Sequence, residues 1–281
     1  MGKGGEGVGS ESGLSGRMPR VAALYRHPVK GYTPERCDAL TILPDGRVAG
    51  DRVLGFRFAD CPAADGEWST KHEFVALVNT PALARLDVRY NHERKTLRVV
   101  LDGEILADEG LDDTGRTRLA AAVQEYVLGT AENPLTGHPE RLPLRLVGDG
   151  VTPRFQDNAG GHTTLHGRAS LAALAAHMAA PDLNEVRFRS NVAIEGIEAW
   201  EEQRWLGRRV RIGAVDFEAL IPKPRCLATH ANPHTGERDL PVMQELMKVF
   251  PGQARPTFAI GLQATDGGGV IRVGDEITLP G

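Results

Sequence analysis

Leu220-Ile-Pro-Lys-Pro-Arg-Cys-Leu-Ala-Thr229 is an apolar, strand-like run that ends in prolines and two cations and then presents one thiol, Cys226. Positive charge beside a thiol favours its thiolate, the form that attacks electrophiles or ligates soft metals. Cys226 is therefore a candidate reactive centre, and the competing reading is a buried cysteine acting as a small hydrophobe. Working outward, Arg208–Ile212 and Val215–Ile221 read as strands just upstream, and Phe188–Glu195 as another. Downstream, a helix is expected near Pro241–Phe250. Thr257–Thr265, a turn at Gly267-Gly268-Gly269 and Val270–Leu279 together predict a terminal hairpin.

The first half carries the same signals. Arg20–Arg26 alternates toward a strand that His27-Pro28-Val29-Lys30-Gly31 breaks, leaving a loop with a cation. Ala39–Leu43, Arg52–Ala59, Glu67–Thr70, Leu86–Tyr90, Thr96–Leu101 and Glu104–Ala107 are expected strands, with Pro44-Asp45-Gly46 and Asp102-Gly103 as turns. Short strands at this spacing predict a β-barrel or sandwich. Asp112–Leu128 breaks the pattern, because Leu119, Val123 and Val127 recur four residues apart behind a polar start. Ser170–Met178 reads as a second helix with Ser170 as its N-cap. The turn-rich segment Asn133–Glu140 is a seam between two halves. The fold class expected is thus mainly β with inserted helices (α+β).

Composition narrows the function. The 281 residues suffice for a core without staples, and the three cysteines, Cys37, Cys61 and Cys226, are widely spaced and form no C-x-x-C pair. A reducing, cytoplasmic setting follows, with Cys37 and Cys61 read as structural. The Ala-rich stretch Leu171–Ala180 is too short to span a bilayer, so no membrane contact is expected. Net charge is −4 and no basic run is interleaved with aromatics, which argues against nucleic acid as a partner. An anionic ligand must then be held by local cations, and Lys30, Arg52, Lys71, Arg189 and Arg225 each stand at the end of a strand-like segment.

At this point the ordered motifs resemble a family. Tyr25-Arg-His-Pro-Val-Lys30-Gly31 is similar to a Y-P-V-K-S segment, Gly50-Asp51-Arg52 opens a strand, and Trp68-Ser-Thr-Lys71 stands where T-A-R or T-Q-R is common. Phe188-Arg189-Ser190-Asn191-Val192-Ala-Ile194-Glu-Gly196 resembles F-R-P-N-I-V-I-x-G. Pro224-Arg225-Cys226-Leu-Ala-Thr229 with Asn232-Pro233-His-Thr235-Gly236 resembles R-C-x-x-T-x-x-D-P-x-T-G, and Val273-Gly274-Asp275-Glu276-Ile277 resembles V-G-D-x-V. The chain is identified as resembling MOSC-domain proteins with an N-terminal MOSC β-barrel, the group that includes amidoxime-reducing components and bacterial MOSC reductases.

The Gly/Ser-rich start reads as a disordered tail, placed at residues 1–18, and the resemblance implies a smaller N-terminal β-barrel or sheet domain at 19–135 and a MOSC β-barrel-like domain at 136–281. It implies a molybdenum cofactor (molybdopterin) whose metal is ligated by Cys226, the catalytic residue. Lys30, Gly31, Arg52, Thr70, Lys71, Arg189, Asn191 and Arg225 then bind the cofactor. Arginine offers a bidentate fork to phosphate, and main-chain groups at Lys30-Gly31 and Ser69-Thr70 add donors. The implied reaction is reduction of an N-hydroxylated or N-oxide-type small molecule, with electrons from a partner redox protein. At family level the resemblance also associates the fold with pyridoxal phosphate binding. Two alternatives stand beside it: a cysteine-persulfide sulfur carrier or transferase, and a cofactor-free binding module.

The sequence departs from the family pattern at Gly31 for serine, Ser190 for proline and Lys71 for arginine, and also at His230 and Asn232. Other signals compete with bland readings. Cys226, His230 and His234 are four apart, but Pro233 breaks a helix there, which weakens a zinc site. His162 and His166 belong either to a loop facing the cleft or to a solvated surface. Asp51, Glu237 and Asp239 are candidate acids or bases against the reading of surface charge. Trp200 and Trp205 read as core.

Overall fold

In the computed structural model, residues 18–280 are described, so all but the last residue of the tail expected at 1–18 lies outside them. The first half contains β1 (Arg20–Arg26), β2 (Glu35–Cys37), β3 (Ala39–Ile42), β4 (Gly55–Arg57), β5 (Leu86–Asn91), β6 (Thr96–Leu101), β7 (Glu104–Gly110) and α1 (Asp113–Leu128). The second contains β8 (Arg145–Val147), β9 (Thr163–Gly167), α2 (Arg168–His177), β10 (Val192–Glu195), β11 (Arg209–Ile212) and β12 (Val215–Pro224). It closes with α3 (Val242–Val249), β13 (Thr257–Ala264), β14 (Gly269–Arg272) and β15 (Ile277–Thr278). The architecture is α+β and strand-dominated, organised by a curled eight-stranded sheet in the order β15-β11-β12-β13-β9-β10-β1-β2.

The two largest hydrophobic cores result from the alternation of side chains. In β5, Leu86, Val88 and Tyr90 point inward while their neighbours are exposed, and β6 adds Leu97 and Val99. The α1 face of Leu119, Val123 and Val127 closes over them. Each such fully buried aliphatic side chain contributes about 1.5–3 kcal/mol. Asp112 caps α1 by accepting from the Gly115 N–H at 3.0 Å. The second core lies against the large sheet and takes Val21, Leu24, Leu40, Ile42 and Val48 from the first part of the chain, together with Leu165, Ile194, Phe217 and Ile260. Because β1 pairs antiparallel with β10, the chain enters the second core before it builds the first, well ahead of the seam expected at 133–140.

Several expected elements are corrected. Glu67–Thr70 is not a strand: it joins no ladder, and Trp68 is tied instead through its indole N–H to the Gln156 carbonyl at 2.9 Å. Arg52–Ala59 forms a strand only over Gly55–Arg57. Phe188–Arg189 belongs to a 3-10 turn, Glu185–Phe188, that ends at Arg189 in the left-handed region. Ser170 lies inside α2, not at its cap, because its hydroxyl donates to Glu202 at 2.7 Å and accepts from the Trp200 N–H at 2.8 Å. The terminal hairpin does not form. Gly267, Gly268 and Gly269 all have positive φ, and a side chain on Gly268 would lie 2.2 Å from the Ile42 carbonyl oxygen. The glycines steer β14 off β13 and onto β3, pairing Val270 with Thr41.

β12 explains how two prolines fit a central strand. Its last pair with β11 is Glu218 with Arg209, so Leu220–Pro224 have a partner, β13, on one side. Register shifts at 219/221 and 222/224 accommodate the missing N–H groups. Burial alternates through Val215, Phe217 and Ala219 and continues, less completely, at Ile221 and Lys223. A cation thus occupies the end of a core-facing row.

Candidate functional site

Beyond the end of that row the chain passes directly to Cys226. The Arg225 N–H donates to the Pro256 carbonyl at 2.8 Å, and Cys226 caps a 3-10 turn, Leu227–His230, whose Thr229 N–H and hydroxyl both return to the Cys226 carbonyl. The thiol is half-buried and lines a cavity of about 380 Å³, within the range of small-molecule sites. Lys and Arg side chains outnumber carboxylates eight to one in the lining, Asp157 being the single acid.

These cations arrive from distant segments. Lys30, from the loop after β1, is buried, and its ammonium donates to Asp157 at 2.7 Å and to the Phe155 carbonyl at 2.8 Å. Burial lowers its pKa despite that pairing. Desolvation pushes the Asp157 carboxyl up, but Lys30 outweighs it and holds it well below the usual carboxylate range. Asp157 is still 66 % exposed, so solvent screens the pair.

Arg52 and Arg189 form the half-buried floor. Both adopt positive φ, 52° and 51°, which non-glycine residues keep only where surrounding bonds enforce it. The Arg52 N–H donates to the His27 carbonyl at 2.6 Å, and its guanidinium pairs with Asp51 and reaches the Arg189 carbonyl at 3.2 Å. Arg189 donates through Nη1 to the Tyr32 carbonyl at 2.6 Å, leaving Nη2 buried without a partner among the described residues. Burial brings the Arg189 and Arg225 guanidinium groups down to about 10, and the nearby Cys226 opposes the fall in each.

Behind this floor, Asp51 is 2 % exposed and accepts from the His27 N–H at 2.7 Å. Desolvation pushes its carboxyl up, yet Arg52 and His27 hold it well below the ordinary range. It is therefore an anchor for Arg52, and an ionised carboxylate cannot serve as the general acid considered from sequence. Burial and the nearby Arg189 bring His27 down to about 3, so its ring is neutral.

Gly31 lines the cavity at φ 84°, where an added Cβ would lie 2.8 Å from Ala76. The chain passes Ala76 too closely for the serine usual at this place. Lys71 and Arg225 also line the cavity; Thr70 and Asn191 do not. Thr70 is exposed at the start of the Lys71–Glu73 3-10 turn. Asn191 is fully buried and bolts β9 to β1, accepting from Thr164 and donating to the Tyr25 carbonyl at 3.1 Å.

Sequence reasoning missed Arg187, two residues before Arg189. It makes a two-pronged ion pair with Asp239 at 2.7 and 2.8 Å, and its Nη1 also reaches the carbonyls of Thr229, His230 and Ala231. This guanidinium holds the turn that follows Cys226, which gives Asp239 a structural partner instead of a catalytic role. Asp157 carried no motif at all. Of the paired histidines, His162 lines the cavity, whereas His166 is buried against Phe258. Trp205 is core, and Trp200 packs edge-on against Phe250. No cluster of three His, Cys, Asp or Glu able to hold a metal exists among the described residues, and all three cysteines are free. No described helix is long and apolar enough to cross a membrane.

Residues 160–278 match the sequence model of the MOSC domain. Mitochondrial amidoxime reducing component 2 of Rattus norvegicus is 31 % identical over 99 residues, covering 32 % of this chain and 28 % of that protein. Molybdenum cofactor sulfurase of Homo sapiens is 38 % identical over 61 residues, covering 22 % of this chain and 7 % of that protein. The matched segments therefore span under a third of either relative. The YUAD protein of Bacillus subtilis, a solved structure, aligns over 93 % of this chain and 94 % of its own at 11 % identity and a TM-score of 0.41. Residues 160–278, which carry Cys226 and the cations from Arg187 to Arg255, are a MOSC domain whose homologues include mitochondrial amidoxime reducing components and molybdenum cofactor sulfurases.

Proposed function

We propose that the cavity holds a molybdenum cofactor with Cys226 as the metal's thiolate ligand, and that the protein reduces N-hydroxylated small molecules. The observation that carries this reading is the convergence of one half-buried thiol with eight cationic side chains and a single carboxylate around one cavity. The donor set fits the group. A thiolate is a soft ligand, and it binds metal by losing its proton. The buried Arg189 Nη2, which lacks a partner among the described residues, is a donor awaiting an acceptor of the kind a phosphate or dithiolene provides.

In this reading Arg52 and Arg189 bind from the floor, Lys30, Lys71 and Arg225 from the walls, and Asp51 keeps Arg52 aimed inward. Arg187 positions the Cys226 turn. Bound there, the cofactor supplies two-electron oxygen-atom chemistry, and a separate electron-transfer protein supplies the electrons. The relative named for amidoxime reduction supports the substrate class.

Elemental analysis after expression with a working cofactor pathway tests the reading. Molybdenum is expected near one per chain in the wild type and far lower in Cys226→Ser. Metal far below one per chain in both proteins, or equal metal in both, refutes ligation by Cys226. Reduction of an amidoxime with an artificial electron donor then tests the reaction.

One observation favours a second reading. Cys226 is only half-buried, so a sulfur donor can reach it, and one relative is named a molybdenum cofactor sulfurase. Sulfur carriage predicts a sulfur-sized mass increment on incubation with a cysteine desulfurase, lost in Cys226→Ser. An unchanged mass refutes it.

A further inference from the structure

Lys30 and Lys223 enter the cavity with different partners. Lys30 is tied to a carboxylate and a carbonyl. Lys223 has a neutral partner instead: its Nζ lies 3.2 Å from His162 Nδ1. Burial, with help from Lys223 and Arg47, brings His162 down to about 4, so at neutral pH its ring is uncharged and Nδ1 accepts an ammonium proton. An ammonium has three N–H donors, so two remain for a ligand.

The position of Lys223 is built into the sheet. Its side chain crosses β13 over Gly261, where an added Cβ would lie 2.7 Å from Lys223 Cε and 3.2 Å from Nζ. The charged and titratable groups around it are His162 and Asp157 from the loop before β9, Arg52 from the turn before β4, and Arg225 on its own strand end. Burial first, then Arg225 and Arg52, bring the Lys223 ammonium down to about 8, with Asp157 opposing them. Lys223 and Cys226 line the same cavity.

We propose that Lys223 is the proton donor of this site, giving an Nζ proton to the oxygen that leaves an N-hydroxylated substrate held beside Cys226, with His162 orienting the ammonium. The inference rests on the function proposed above. For an amidoxime the N–O bond breaks and two electrons enter from an external one-electron donor. The leaving hydroxyl takes the Lys223 proton to become water, the nitrogen takes a second proton from solvent, and the neutral Lys223 amine is reprotonated by solvent. The donor form is the ammonium, so the rate falls as pH rises through about 8.

The test uses cofactor-loaded wild type, Lys223→Arg and Gly261→Ala. Lys223→Arg keeps the charge but holds its proton too tightly to donate it, and Gly261→Ala keeps the lysine but displaces it. Three quantities are read: the pH dependence of amine acylation at residue 223 by peptide mass spectrometry, the molybdenum content, and kcat and KM for an aromatic amidoxime with reduced methyl viologen. Expected are half-maximal acylation of Lys223 near pH 8 and unchanged molybdenum. Lys223→Arg should show a kcat roughly 10²-fold lower at similar KM, with the alkaline limb near pH 8 lost, and Gly261→Ala a loss of kcat in the same direction. Half-maximal acylation above about pH 10, the ordinary lysine range, overturns the proposal, as does wild-type kcat with an unchanged alkaline limb in Lys223→Arg. Wild-type kcat in Gly261→Ala overturns it should Lys223→Arg fail to fold. A wild-type protein that holds no molybdenum and reduces no amidoxime overturns the reductase reading on which this inference rests. Acylation still centred near pH 8 then places the fault in the cofactor reading and not in Lys223.

Discussion

Replacing Asp51 by Asn removes a buried charge from behind the floor of the cavity while preserving its shape. Asp51 bonds to the His27 N–H at 2.7 Å and to the Asn191 amide at 3.3 Å, and it pairs with the Arg52 guanidinium. Asparagine retains an acceptor for His27 but leaves Arg52, 14 % exposed, without its counter-charge. Breaking a buried pair in this way costs about 3 kcal/mol. For a chain of this length that is a fall in Tm of roughly 6–12 °C. The effect carries a pH signature. The folded carboxyl is held well below the ordinary range, so its contribution is fully present above the unfolded value of about 4 and is lost as pH falls toward the folded value. The gap between wild type and Asp51→Asn should therefore shrink by about 1.4 kcal/mol for each pH unit below about 4. Calorimetry or urea unfolding at pH 7 and pH 3 reads both numbers. A Tm within 2 °C of wild type at pH 7, or a gap that does not narrow in acid, refutes the anchoring role of Asp51.

Two further outcomes follow from the same geometry. Gly31→Ser, which restores the residue usual in the family, should destabilise this chain by about 1–3 kcal/mol, since φ is 84° and Ala76 stands 2.8 Å from the new Cβ; an unchanged urea midpoint contradicts this. Arg187→Lys should cost about 1–3 kcal/mol by losing the fork to Asp239 and the three carbonyls beyond Cys226. Hydrogen exchange should then accelerate over residues 227–239, and protection equal to wild type would show that Arg187 does not hold the turn.

The local parts of this protein were legible in its sequence because they follow from short-range chemistry. The alternation of Leu86, Val88 and Tyr90 marks a one-sided strand, and the four-residue recurrence of Leu119, Val123 and Val127 behind Asp112 marks a capped helix. Cys226 directly after two cations at a proline-terminated strand end was equally visible, as were Lys30, Arg52, Lys71, Arg189 and Arg225, all of which reach one cavity.

What tertiary structure alone decided is who meets whom. The hairpin expected at the C-terminus dissolved because three glycines allow β14 to find β3, more than 220 residues earlier, a pairing no local pattern encodes. Asn191 shares a motif with Arg189, yet Arg189 ends a 3-10 turn in the left-handed region and lines the cavity, whereas Asn191 is drawn into the bonds between strands. Asp51, a candidate acid by residue type, became an anchor once burial put Arg52 against it. Lys223 was visible only as a charge flanking Cys226; its neutral histidine partner and the missing side chain of Gly261 come from segments about 60 and 40 residues away. Residue type sets which chemistry is available and periodicity sets the elements. The charge state of each group depends on burial and on neighbours brought in from distant chain, and those exist only after folding.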